Sequence, residues 1–600
     1  MLAWSVLTTA LVSALVRNPL SCNVTIRDKG SKIHPEHILS ANSLAECCNL
    51  CSTNLLPHCF FFVFTGKKCH LKFAPYDASK NINKTFSTLG INPTPSPSPP
   101  PSPPPGPPPK PPLGTKPHII FAMIDDWGWY NNGFHGNSVI KTPFMDKLVM
   151  EDSLLLERHY VFKYCSPTRR SFLSGRVPPH SGEANGADVT VDTRMHTIAA
   201  KLKAAGYKTG MSGKWHAGHM IMKQQPHGVG FDTSLGYMNG ACDHYTQIDG
   251  EDGCAKHNGG HPTTDIWNTD RPGYGLNGTY GDFMYVGRAV ETITNHNTSD
   301  GAAPLFYYLA MQCAHDPMEA PQRFLDIYEK DNFCGHKKKC GMQVEYAFSS
   351  VIDEGLSNVT AALKAKGMWD NTILVVASDN GGPAFSDQHA ASNYPLRGGK
   401  YQLWEGGIRG NAFVTGGILP STMRGKNLSA PVHVCDWYST FCYLAGVDPS
   451  DDAPGIPSID SINQWRVLTG STTKDARKEI WPADGILING SLKLIACNPG
   501  NGDWSGPLYP KVPAWNSTKV TCSAKTPCLY NVVDDPWERD DIAGKHPDIV
   551  QRMVMRLATL APTKFSGQCQ ECPQNGKEMI CKRTAENGGY LTPTDWVAPL

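Results

Sequence analysis

The chain has 600 residues, too many for one hydrophobic core, so two or more domains are expected. With 40% hydrophobic and 18% charged residues, its bulk is ordinary globular material. The formal net charge of +1 excludes a global field that would draw nucleic acid or an acidic membrane surface, so an anionic ligand must be met by a few local cations.

Residues 2–16, LAWSVLTTALVSALV, form an apolar run with the length of a signal-peptide core, too short to span a bilayer comfortably. Its flank lacks the usual Lys or Arg, and a buried helix is the alternative. The reading adopted is a signal peptide over 1–21. No later stretch is apolar and long enough to cross a membrane, and the final TDWVAPL is not a retention signal of the KDEL type. The 20 cysteines fit a secreted, disulfide-forming setting, with the cell wall or a periplasmic space also open. Asn23, Asn83, Asn277, Asn297, Asn358, Asn427, Asn489 and Asn516 each begin an Asn-x-Ser/Thr triplet, which supports a secreted glycoprotein.

Residues 22–90 hold Cys22, Cys47, Cys48, Cys51, Cys59 and Cys69, the mark of a small disulfide-stapled module. The run SLAECCNLCSTNLLPHCFFFVFTGKKCHLKF resembles a PAN/apple domain. That resemblance implies a glycan or protein partner in a wall or matrix; a structural cap is the alternative. The linker follows at 91–114, and fourteen of the twenty positions 93–112 are proline. Such a run favours polyproline II, a stiff spacer of roughly 60 Å at about 3.1 Å per residue. Its Ser-Pro character is similar to hydroxyproline-rich wall glycoproteins.

From residue 115 the texture becomes alternating strand and helix. HIIFAMI (118–124), LFYYLAMQC (305–313) and TILVVAS (372–378) read as buried strands of a largely parallel sheet. HTIAAKLKAAG and VEYAFSSVIDEGLSNVTAALKAKG carry helical spacing between them, giving a layered α/β fold. Residues 115–450 are read as the main domain. Residues 451–600, richer in Pro, Cys and short strands, are read as a smaller subdomain and tail.

The three strands end at Asp125 and Asp126, at His315, and at Asp379 with Asn380. In open parallel sheets, ligands gather at the carboxyl edge of the strands, where distant chain positions converge. DDWG and DNGG alone are ordinary turn compositions. Three carboxylates and an amide oxygen form a hard, anionic donor set that suits Ca²⁺ or Mg²⁺ and argues against zinc. Between the first and second strands stands CSPTRRSFLSGR (165–176), with Cys165, Pro167 and Arg169 in Cys-x-Pro-x-Arg spacing. Pro167 is tolerated in a first turn, so a helix is expected to start just after Cys165, which would sit where free amides favour an anion. GKWHAGH follows with Lys214 and His216, one residue apart and on one face if the segment is extended. His219 is read as structural. Lys400 lies in NYPLRGGKYQLWEGGIRG (393–410).

The dodecamer at Cys165 resembles the signature of type I sulfatases, and GKWHAGH is similar to the same family's Gly-Lys-Trp-His-x-Gly, departing at Ala217. CAHDPMEAP, the 393–410 run and CLYNVVDDPWERDDIA extend the likeness over about 115–560, with the 393–410 run similar to the arylsulfatase B branch in particular. The resemblance implies an alkaline-phosphatase-like sulfatase fold with a mixed, largely parallel central sheet and a smaller C-terminal subdomain. It implies a sulfuric ester hydrolase acting on small-molecule or saccharide sulfate esters. Cys165 would be oxidised during maturation to formylglycine by the formylglycine-generating enzyme. One Ca²⁺ would be held by Asp125, Asp126, Asp379, Asn380 and the modified Cys165. Hydration of the aldehyde would give the nucleophile, which Arg169 would stabilise, while Lys214 and Lys400 hold the sulfate oxygens. His315 would protonate the leaving group, and His216 would take the proton that lets sulfate depart.

With Cys165 so committed, 19 cysteines remain, so another thiol should stay free, and Cys313 is the candidate. Cys242 and Cys254 are expected to form a local disulfide. Two rivals stand beside the sulfatase: a phosphodiester or phosphonate hydrolase built on the same site, and a matrix binding module that has lost catalysis.

Overall fold

The computed structural model describes residues 114–598, apart from 187–188, 251–252, 256–258, 332–339, 385–390 and 503–519, together with the backbone of Glu36–Ser40, Val63–Thr65 and Lys68–Lys72. The chain divides into two compact units, Met1–Gly106 and Pro107–Leu600. In the first, the three short strands pair as one antiparallel sheet with Lys68–Lys72 in the middle. The expected signal peptide, cysteine pairing of residues 22–90 and proline spacer lie outside the described residues.

The second unit is built on a ten-stranded sheet. From one edge to the other it runs Arg271–Pro272, Trp267–Asn268, Thr233–Gly236, Lys208–Gly213, Leu305–Met311, His118–Ile124, Thr372–Ser378, Ala412–Thr415, Leu154–Leu156 and Lys426–Leu428. The strands from Thr233–Gly236 to Thr372–Ser378 are parallel to one another; antiparallel pairs flank them on both sides. This is the mixed, largely parallel sheet expected from the sequence.

The unbroken apolar runs have a simple cause, because both faces of the sheet are covered. Along His118–Ile124, residues Ile119, Phe121 and Met123 enter one core while Ile120, Ala122 and Ile124 enter the other. Ile373, Val375 and Ala377 divide from Leu374 and Val376 in the same way. Helices Cys165–Ser174, Ile198–Ala204 and Asp436–Ala445 feed the first core. Helices Pro143–Asp152, Gly281–Asn295 and Gly341–Ala365 feed the second. The result is a helix–sheet–helix sandwich.

Register aligns the strand ends. Met311 and Ser378 both pair with Ile124, and Gly213 pairs with Ala310, so residues 125, 214, 312 and 379 leave the sheet at one edge. Beyond residue 450, Glu479–Ala483, Ile486–Asn489, Leu492–Ile495 and Cys528–Asn531 form an antiparallel sheet, with helix Pro547–Leu560 sharing one of its cores. Its other core takes in Leu403, Trp404 and Ile408, the residues that follow Lys400.

Two expectations change here. The strand after Pro304 stops at Met311, because Asp282 accepts the amides of Gln312 (2.9 Å) and Cys313 (3.0 Å), removing them from sheet pairing. Cys254 pairs with Cys581, 327 residues away, and Cys242 is a buried free thiol. Their short spacing suggested a local bridge, but the loop sends Cys242 into the second core beside the Asp265 carbonyl and Cys254 into the first, against helix Gly576–Glu586. Cys313 is a free thiol as expected, as are Cys435, Cys442 and Cys497. Among the described residues no helix is long and apolar enough to cross a membrane.

Candidate active site

Cys165 is the first residue of helix Cys165–Ser174, one position earlier than expected, with Tyr164 capping it in extended backbone. Pro167 falls within the first turn, where its missing amide costs no helical bond. All ten helix residues are buried, and the helix closes on Gly175 at φ 70°, where a Cβ would come within 2.7 Å of the Tyr438 ring. The nucleophile position is therefore mounted on a helix that is packed at both ends.

The sheet edge brings the remaining groups to it. Cys165 Sγ lies 3.4 Å from Asp125 Oδ1. Lys214 Nζ lies 2.5 Å from Asp125 Oδ2, and Lys400 Nζ 2.7 Å from Asp126 Oδ2. His315 Nε2 stands 3.8 Å from Asp126 Oδ2. The Asp126 amide, in left-handed backbone at φ 56°, donates to Asp379 Oδ1 at 3.2 Å. Asn380 Nδ2 lies 2.6 Å from Asp126 Oδ1.

Three side chains show more than the sequence suggested. Arg169 turns its guanidinium onto Asp379 (2.7 and 3.1 Å) and the Lys214 carbonyl (2.9 Å). It is thus a brace beneath the carboxylates, because the helix register aims it down into the sheet edge. Lys214 and His216 are not on an extended segment. The chain leaves the sheet at Gly213, φ 104°, where a Cβ would sit 1.7 Å from the Ala310 carbonyl, and His216 is itself left-handed at φ 46°. Nδ1 of His216 is buried without a hydrogen-bond partner among the described residues.

Charge and burial set the protonation states. Burial pushes the Asp125 carboxyl up, but Lys214, His315, Arg169 and Lys400 together hold it well below the usual carboxylate range. Burial and the Asp125 charge raise Asp379 to about 7 against the pull of Arg169. Burial and the nearby Lys214 and Arg169 hold His216 well below its ordinary value, so it is neutral and can accept a proton. Burial opposes charging of His315, yet Asp125 and Asp126 raise it well above the ordinary imidazole value, so it can donate one. Burial, then Asp125, raises the Cys165 thiol despite Lys214 and Lys400. As encoded, that sulfur is a poor nucleophile.

The donor set fits a hard divalent cation. Asp125, Asp126, Cys165 and His315 present ligand atoms within 4.8 Å of one another. Asn380 Oδ1 is a buried acceptor with no donor among the described residues, an arrangement that costs free energy until a cation or donor meets it. Asp379 and Asn380 both follow the strand beside the one that ends at Asp125. Three carboxylates face Lys214, Lys400, Arg169 and the protonated His315, so a divalent ion would leave the cluster positive and ready for an anion.

Supporting residues that carried no sequence signal complete the site. His244 Nε2 lies 3.0 Å from the His315 carbonyl oxygen, and its ring stacks between Tyr280 and Phe348 at 5.2 Å from each. With Asp282 on the two preceding amides, it fixes the turn that carries His315. Both come from chain positions remote from any motif.

Residues 117–447 match the family profile described as Sulfatase. Arylsulfatase J of Mus musculus is 32% identical over 494 residues, covering 75% of this chain and 77% of that one. N-acetylgalactosamine-6-sulfatase of Canis lupus familiaris is 26% identical over 524 residues, covering 80% and 92%. The solved structure of Ps i-CgsB in complex with k-i-k-neocarrahexaose superposes with a TM-score of 0.62 at 23% identity, over 79% of this chain and 98% of that one; this likeness is one of fold.

Proposed function

Because the chain belongs to the sulfatase family and is a sulfatase by that membership, we propose that it hydrolyses sulfate monoesters with a formylglycine made from Cys165 and one Ca²⁺. The observation that carries this is the meeting of Cys165, Asp125, Asp126, Asp379, Asn380, Lys214, Lys400 and His315 at one sheet edge, with Asn380 Oδ1 unsatisfied. Asp125, Asp126, Asp379, Asn380 and the modified residue 165 would hold the ion, which supplies positive charge toward the sulfate oxygens. The hydrated aldehyde supplies two hydroxyls on one carbon, one to attack sulfur and one whose deprotonation releases sulfate.

Each residue then has a defined task. Lys214 and Lys400, already on Asp125 and Asp126, share their charge with two oxygens of the bound ester. Arg169 keeps Asp379 and the Lys214 backbone in place. His315 gives its proton to the departing alcohol oxygen, and His216 accepts one from the hydroxyl of residue 165. Membership of the arylsulfatase B branch rests on the 393–410 run. Sulfated saccharides are the substrate reading supported by relatives named N-acetylgalactosamine-6-sulfatase and by a fold neighbour solved with k-i-k-neocarrahexaose. Secretion and a glycan- or protein-binding role for residues 22–90 complete the proposal.

The test is a peptide mass map across Cys165 on protein from its natural source, joined to rates on sulfate and phosphate esters before and after chelation. Formylglycine at 165, a preference for sulfate and recovery by added Ca²⁺ are expected. An unmodified thiol in active protein, or a preference for phosphate esters, would overturn the reading.

A further inference from the structure

The active site reaches water at His216, which is only partly buried, and at the edges of His315 and Lys400. Lys214, Arg169 and Asp125 side chains are fully buried, whereas His315 and Lys400 keep 9% and 4% of their side-chain surface. Cys165 keeps 4%. A leaving group on a sulfate seated here must pass one of these openings, and Lys400 stands at one of them. Next to Lys400 stands Tyr401, 59% exposed and among the few large hydrophobic side chains left open among the described residues.

Tyr401 is held rather than loose. Its backbone is left-handed, φ 68°, a conformation bulky residues rarely keep unless their surroundings impose it. Its amide donates to the Lys163 carbonyl at 2.6 Å, two residues before Cys165. Lys400 Nζ lies 5.3 Å from the ring centroid, and the Tyr164 ring lies 5.9 Å away, tilted by 40°. Lys400 pulls the phenol's pKa down, while burial, Cys165 and Asp126 push it up, for a net rise.

A tyrosine serving only to pack would be covered, and an idle loop residue would not be fixed in strained backbone beside the sulfate-binding lysine. We propose that Tyr401 is a specificity-determining platform on which the ring of the leaving group stacks. This rests on the sulfatase reading above and assigns a residue of this chain to the leaving-group side of its site. Aryl rings and the apolar face of a sugar share the required flat, partly apolar surface.

The experiment compares wild type, Tyr401→Phe and Tyr401→Asn on 4-nitrophenyl sulfate, N-acetylgalactosamine 6-sulfate and propyl sulfate. Asparagine is chosen because it tolerates left-handed backbone without a ring. Tyr401→Asn is expected to raise KM for ring esters by roughly 3- to 10-fold, lowering their preference over propyl sulfate by a similar factor. Tyr401→Phe should retain that preference to within about twofold. A loss on the aryl ester alone or the sugar ester alone supports the platform and says which ring it takes. Equal losses on all three esters, or Phe as damaging as Asn, overturn it. A wild type inactive on every sulfate ester would instead sink the sulfatase substrate reading, and the platform with it.

Discussion

Two buried charge clusters in the same compact unit differ in how they are resolved. At the junction with the C-terminal sheet, the fully buried Lys493 sits between Glu405 (3.1 Å) and Glu538 (2.8 Å), and Tyr160 donates to Glu405 at 3.0 Å. Glu538 Oε2 also accepts the Glu405 amide at 2.6 Å. Glu538 Oε1 meets Lys493 as an ion pair but makes no hydrogen bond among the described residues; the three side chains are fully buried and bind one another across the seam that holds residues 404–409. At the sheet edge, three carboxylates face Lys214, Lys400, Arg169 and the protonated His315, leave Asn380 Oδ1 without a donor among the described residues and keep His315 and Lys400 in touch with water. One arrangement secures a loop, and the other is completed from outside. A fully buried ion pair is thus no sign of a site by itself; an unmet acceptor beside a water-accessible cation is.

The largest expected difference between the clusters is catalytic. Cys165→Ser keeps a side chain of similar size at a packed helix start, so its melting temperature should lie within a few degrees of wild type. Turnover should fall by roughly 10⁴-fold or more, the scale seen when a nucleophile is removed. Sustained multiple turnover by this variant would show that residue 165 is not the nucleophile.

Reversed effects are expected at the junction. Lys493→Met leaves Glu405 and Glu538 buried without their cation, a change that costs about 3–5 kcal/mol. The midpoint of denaturant unfolding should drop accordingly, while kcat of the folded fraction changes far less, since none of these side chains lines the site. A variant that loses activity in proportion but not stability would place Lys493 in the catalytic machinery and erase the distinction.

Much of the second cluster's function, and little of the first's, could be read in the chain. HIIFAMI and TILVVAS match strands residue for residue, because burial on both faces demands unbroken apolar runs. Asp125, Asp126, Asp379 and Asn380 were legible because register in a parallel sheet places strand ends together. Cys165, Lys214 and Lys400 were legible through local motifs. Asp282 and His244 were not, since their partners are backbone groups of residues 312, 313 and 315, and backbone leaves no mark in composition. The Cys254–Cys581 bridge was hidden for a related reason: local spacing says nothing about a helix 327 residues away. Arg169 was read as turning back toward the nucleophile, and it does reach within 3.7 Å of the Asp125 oxygen beside Cys165; its bonds to Asp379 and the Lys214 carbonyl were not legible, because they depend on the sheet beneath it.

The finest separation of the two clusters is in their response to pH. Burial first, with Glu405 adding to it against the opposing pull of Lys493, raises the Glu538 carboxyl from its ordinary value of 4.5 to about 7. Between these two values the folded state binds a proton that the unfolded state has lost, so this group's contribution to stability is full below pH 4.5 and is lost as pH rises through about 7. Glu538→Gln removes that dependence while keeping the shape of the side chain. The stability of wild type relative to Glu538→Gln should therefore be greater at pH 5 than at pH 8, measured as the difference in unfolding midpoint at each pH. A difference that is constant across that range would mean Glu538 stays ionised beside Lys493 and that the junction is a plain salt bridge. A constant difference that shrinks only as pH falls below 4.5 would mean that Lys493 overcomes burial, which would make the junction electrostatically closer to Asp125 than to Asp379.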